Sequence, residues 1–206
     1  MLRTPELVFQ STNWSCGLAC VAMLTGQDEG ELVKTFSVKG GSVWTIDLLD
    51  LLPEEAIYYS TLLDVPDSHG MMRYYQKLFA IDSARVRPLL KAAGAAERAR
   101  EVAFTTEQMR DSIGNFVFIV LVHKWLLGGD RFSGVEGGGD NDDDEYNGHY
   151  ILVHALDGDS FVYLDPDRTY NGERKVSLES LEAARRVNGT DYDIIVIPRP
   201  GKSQVE

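Results

Sequence analysis

Cysteine is scarce in this chain: Cys16 and Cys20 are the only two in 206 residues. That number argues against a secreted scaffold stapled by disulfides and fits a reducing compartment. The two thiols stand four apart on one expected helix, a spacing that aims them poorly at each other. With four scattered histidines (His69, His123, His149 and His154) they also lack structural-zinc spacing. Positive charge is short as well, 20 Lys and Arg against 32 Asp and Glu, for a net charge of -12. Such a balance argues against a nucleic-acid partner or an anionic membrane surface. Long apolar runs are missing; Phe116 to Val122 is among the longest, and it suits a buried strand. The opening MLRTPELVFQ holds no hydrophobic stretch of signal-peptide length. A cytoplasmic protein is the expectation.

What is present is a globular composition, 44% hydrophobic and 25% charged, enough for one full-sized domain over residues 1–206. The run from Leu18 to Leu24 is apolar all round, as a helix buried in a core is, and Gly26 is placed to stop it. DEGELVKTFS, WTIDLLDLLP, HGMMRYYQKLFA and SARVRPLLKAAGAA carry helical periodicity, with Pro88 near a start or kink. AIYYSTLL and REVAF read as strands, and TTEQMRDSIG as a short helix capped by Thr106. The C-terminal half is richer in strands: NFVFIVLVH, HYILVHALD, SFVYLDPD and YDIIVIPRP, with DGDS as a hairpin turn. Helix SLESLEAARRV precedes the last strand, with Ser177 as its cap and Gly189 as its close. The fold class is therefore α+β, a helical N-terminal half packed on a mainly antiparallel sheet. Residues 128–147, rich in Gly and Asp, are expected to form a mobile acidic loop. Their DNDDDE run lacks the spacing of a calcium loop, so no metal site is assigned.

Within this frame one constellation can do chemistry. A helix N-terminus favours a thiolate, and Cys16 stands at one. Gly17 leaves room for a substrate backbone, and Gln10 can offer a side-chain amide to an oxyanion. Cys20, one turn deeper among apolar neighbours, should be inert. His149, following Gly148 at the start of a strand, is the candidate base. Asp165, on the partner strand of the hairpin, is its candidate orienter. A turn at Gly158 and Asp159 leaves 149 and 165 about three residues out of register. His154, five residues on, points to the other face of an uninterrupted strand and is read as a core or back-face histidine. Trp14, Gly17 and Gly148 are the candidate substrate-binding residues. Adjacency to His149 makes the acidic loop a candidate lid.

The order Gln10, Cys16-Gly17, Gly148-His149-Tyr150, Asp165-Pro166 resembles the papain-like cysteine peptidase superfamily, in particular its bacteriocin-leader-processing branch. That resemblance implies a papain-like fold, with Cys16 as nucleophile, His149 as base, Asp165 as orienter and Gln10 as oxyanion donor. NWSCGLACVAML, RYYQKLFAIDSARVRPLLKAA, GHYILVHALDGDSFVYLDPD and EAARRVNGTDYDIIVI together resemble the guanylyl cyclase domain-containing proteins over nearly the whole chain. Ser15 stands where those relatives often carry Asp, and the acidic loop replaces a cysteine-rich insertion of the animal members. Two activities follow from the two resemblances. The first is a thiol hydrolase acting on a peptide or protein substrate without a cofactor. The second is cyclisation of GTP to cyclic GMP with Mg²⁺ or Mn²⁺, for which no phosphate-cradling glycine motif is present. A third expectation is a non-catalytic peptide-binding module. The sequence leaves the oligomeric state open.

Overall fold

The structure is a computed structural model that describes residues 2–37, 43–63, 73–127, 148–169, 172–187 and 189–199, with backbone alone for 73–81. His69, the acidic loop and its expected role as a lid lie outside the described residues. The elements run α1 (Cys16–Thr25), α2 (Glu29–Ser37), α3 (Thr45–Leu49), β1 (Ile57–Ser60), α4 (Arg73–Ala95), β2 (Ala99–Glu101) and α5 (Thr106–Ser112). They continue with β3 (Phe116–His123), α6 (Lys124–Leu127), β4 (Gly148–Asp157), β5 (Ser160–Leu164), β6 (Glu173–Ser177), α7 (Leu178–Arg185) and β7 (Ile194–Pro198).

The strands form one seven-stranded sheet in the order β2-β1-β7-β3-β4-β5-β6. Its β1–β2 pair is parallel and the other pairs are antiparallel. The α+β class and the mainly antiparallel sheet are as expected. The helical cover differs, because helices lie on both faces. In β3, Val117, Ile119 and Leu121 face a core built with α1–α4, while Phe118, Val120 and Val122 face a second core built with α5–α7. A strand buried on both sides needs an unbroken apolar run, which is what FVFIVLV supplies.

Local chemistry explains most boundaries. Gly26 ends α1 in the left-handed region, φ 76°, and its N–H bonds the Ala22 carbonyl. Arg3 adds guanidinium bonds to the carbonyls of Ala22 and Met23, at 3.2 and 3.3 Å. Three expectations need correction. The two helical patterns either side of Ile81 form the single helix α4, with Pro88 inside it. The cap of α5 is Thr105, not Thr106: Thr105 accepts from the Gln108 N–H, and the Gln108 side chain accepts from the Thr105 N–H at 2.7 Å. Helix α7 stops at Arg185, before Gly189. Its cap, Ser177, accepts from the Ser180 N–H at 3.1 Å as expected.

Candidate active site

Cys16 is the first residue of α1, a helix that is buried from end to end. Its sulfur accepts from the backbone N–H groups of Tyr150 and Gly17 and hydrogen-bonds His149. Strand pairing explains the Tyr150 contact. Strand β5 ends at Leu164, opposite Leu152, so the first residues of β4 have no β5 partner. The mouth of α1 fills that notch, and the sulfur takes an amide the ladder leaves unused.

His149 Nε2 lies 2.8 Å from Asp165 Oδ1, with both side chains almost wholly buried. Nε2 is thereby committed, which leaves the Nδ1 side of the ring for the sulfur. An offset of three residues would have placed these two side chains on opposite faces of the hairpin. A β-bulge between Val153 and Ala155 changes the count: Ala155 pairs with Val162, but Val153 pairs with Tyr163. The residue left over is His154. Beyond the bulge the offset falls to two, an even number, and the imidazole and the carboxylate share a face. The strand is therefore interrupted at His154. That residue is partly buried, with Nε2 3.2 Å from Glu173 Oε2.

The electrostatics favour an ion pair. Burial raises the Cys16 thiol, but the His149 hydrogen bond and charge, with the Tyr150 and Gly17 amides, outweigh it and hold the pKa below its ordinary value. Burial likewise works against charging His149; the bonds to Asp165 and Cys16 prevail and raise it to about 9. Cys20 is the opposite case. Burial and the nearby Cys16 and Asp165 push its thiol well up, as an inert core thiol requires.

The remaining candidates are placed unevenly. The Gln10 N–H donates to the Pro166 carbonyl at 2.9 Å, which holds this loop beside Asp165. Its side-chain Nε2 donates to the Thr12 carbonyl at 2.8 Å, so one amide hydrogen is already in use. The missing side chain of Gly17 also serves packing. A Cβ there would lie 2.8 Å from Leu48 Cδ1 and 3.1 Å from Tyr150 Cδ2. Trp14 is half-buried against the core around α1. Gly148 is exposed and pairs with His123.

Two neighbours complete the surroundings of Asp165. The Asp167 N–H donates at 2.9 Å to the same Asp165 Oδ1 that meets the His149 ring, which helps hold that oxygen in place. Asp167 is itself ion-paired with Lys124. Nothing in the sequence marks Lys124. Among the hairpin aspartates, Asp157 pairs with Lys175, Asp165 with His149 and Asp167 with Lys124. Among the described residues no group of three or more His, Cys, Asp or Glu is placed to hold a metal ion. No helix among them is long and apolar enough to cross a membrane.

Comparison with known proteins finds both a family model and curated relatives. A family model described as guanylylate cyclase matches residues 6–197. A protein of Arabidopsis thaliana named "Guanylyl cyclase 1" is 30% identical over 208 aligned residues, covering 92% of this chain and 74% of its own length.

Proposed function

This chain belongs to the guanylylate cyclase family, and within that family we propose that its site works as a nucleophilic thiol centre of papain-like type. The observation that carries the reading is the continuous contact from the Cys16 sulfur through the His149 ring to Asp165. Two buried groups with opposed shifts, a thiol held down and an imidazole held up, suit a thiolate–imidazolium nucleophile. The thiolate attacks a carbonyl carbon of a peptide or amide. His149 gives its proton to the leaving nitrogen, and water then releases the acyl group from sulfur. Asp165 keeps the ring oriented. The Cys16 N–H and the second amide hydrogen of Gln10 hold the oxyanion.

A second reading is cyclisation of GTP, in which the ribose 3′-oxygen displaces pyrophosphate from the α-phosphorus. The names of the matching family and of the Arabidopsis relative support this reading and lend nothing to a peptidase. The donor set is a poor fit to a metal-assisted cyclase, since among the described residues Asp157, Asp165 and Asp167 of the hairpin already have cationic partners.

One pair of assays separates the readings. The purified chain is incubated with an electrophilic peptide probe and analysed by intact mass, and separately with GTP and Mg²⁺ or Mn²⁺. The thiol reading expects an adduct on Cys16, lost in Cys16→Ser, and no cyclic GMP above a boiled control. Cyclic GMP formation that survives Cys16→Ser, with no adduct, would establish the second reading instead. Probe binding without turnover or adduct would leave a peptide-binding module.

A further inference from the structure

Behind the site runs a second buried polar chain that the proposed mechanism does not use. Thr45 Oγ1 donates to Asp193 Oδ2, and Tyr58 Oη donates to Asp193 Oδ1 at 2.8 Å. Thr45 Oγ1 also lies 2.7 Å from Tyr150 Oη. Thr45 has one hydroxyl hydrogen. With that hydrogen given to the ionised Asp193, its oxygen accepts from Tyr150, and the direction of the chain is fixed. The order is Tyr150 to Thr45 to Asp193, across α3, β4 and the start of β7. At its near end the same Tyr150 supplies the amide that bonds the Cys16 sulfur, and its ring packs on Gly17.

We infer that Asp193 is a positioning residue for the thiol centre: acting through Thr45 and Tyr150, it fixes the β4 segment whose amide holds the Cys16 sulfur. The inference rests on the thiol reading above and extends it. Protonation of Asp193 on Oδ2 turns that oxygen into a donor to Thr45, whose own hydrogen then turns toward Tyr150. The chain reverses, and the anchoring of Tyr150 changes with it. Burial raises the Asp193 carboxyl to about 7, against the hydrogen bonds from Thr45, Ser60 and Tyr58, so this reversal falls near neutral pH. The groups facing it are Thr45 on α3, Tyr58 and Ser60 on β1, Asp191 on its own loop and Arg185 on α7.

The test is the pH profile of Cys16 alkylation by iodoacetamide, from pH 5 to 9, in the full chain. Thr45→Val cuts the chain while leaving both ends in place; Asp193→Asn removes its charge; Thr45→Ser restores the hydroxyl. Wild type and Thr45→Ser should show a step near pH 7 that both other variants lack. At pH 7.5 those two variants should react about tenfold more slowly, the scale of one lost hydrogen bond. Rapid labelling of wild type with superimposable profiles, whatever the melting temperatures, overturns the positioning role and leaves the thiol reading standing. Slow wild-type labelling, equal at Cys16 and Cys20, overturns both. Should Asp193→Asn fail to fold, the Thr45 pair alone decides.

Discussion

Removing the imidazole beside Cys16 should return the thiol to the control of burial. In the wild-type chain the His149 hydrogen bond and charge, with the Tyr150 and Gly17 amides, overcome the desolvation of the sulfur. In His149→Ala the Tyr150 and Gly17 amides remain, and the ion pair is gone. A hydrogen bond to a charged group contributes about 1.5–3 kcal/mol net. That range corresponds to an about 10- to 150-fold fall in thiolate population at pH 6, where the thiolate is the minor form in the variant. The assay is the second-order rate of iodoacetamide labelling at pH 6, with fragment-ion mass spectrometry assigning the adduct to Cys16 or Cys20. Cys16 is only 7% exposed, which lowers the absolute rate in both proteins but leaves their ratio meaningful. Cys20 should stay unlabelled in each. A ratio below about threefold, or labelling of Cys20 as fast as Cys16, would refute an interaction on this scale.

Further outcomes follow from other contacts. Gly17→Ala should destabilise the fold by about 1–3 kcal/mol in urea unfolding, because Leu48 is fully buried and cannot retreat from the new methyl. Asp193 has its folded pKa raised, so its contribution to stability is present below its unfolded value and is lost as pH rises toward about 7. Asp193→Asn should therefore flatten the fall in melting temperature across that window. Asp167 behaves in the reverse sense: burial opposes its ionisation, but Lys124 and Thr169 hold it at about 2. Its contribution is lost as pH falls from about 4 through 2, and Lys124→Met should shrink that acid-side loss in circular dichroism melts.

How far the sequence could be read depended on whether the signal was local. The hairpin turn DGDS formed as its residues demanded, with Asp157 opposite Ser160 and Gly158 at φ 59°. The wholly apolar α1 and the β-branched strands were equally legible. The bulge at His154 was not, since a bulge is chosen by long-range pairing and leaves no residue signature here. Yet it determines whether His149 and Asp165 share a face. Strand β6 was missed because ERKVS is an edge strand with Arg174 and Lys175 in its middle, and edges carry charge that masks β propensity. Thr105 lost to Thr106 in the reading because both are good caps; the reciprocal bond with Gln108 decides between them. In the sequence, Asp193 reads only as part of the strand segment YDIIVIPRP. Its role depends on Thr45 and Tyr58, more than 130 positions away.

The place of β7 between β1 and β3 has a consequence for how the protein is made. On a ribosome, β1, β2 and the first four helices emerge long before the strand that joins them to the rest of the sheet. Until Ile194–Pro198 is available, the β1–β2 pair and the β3–β6 strands lack the strand that lies between them. Vectorial synthesis thus makes closure of the sheet wait on the insertion of β7, and a chain still lacking it is the species a chaperone would meet.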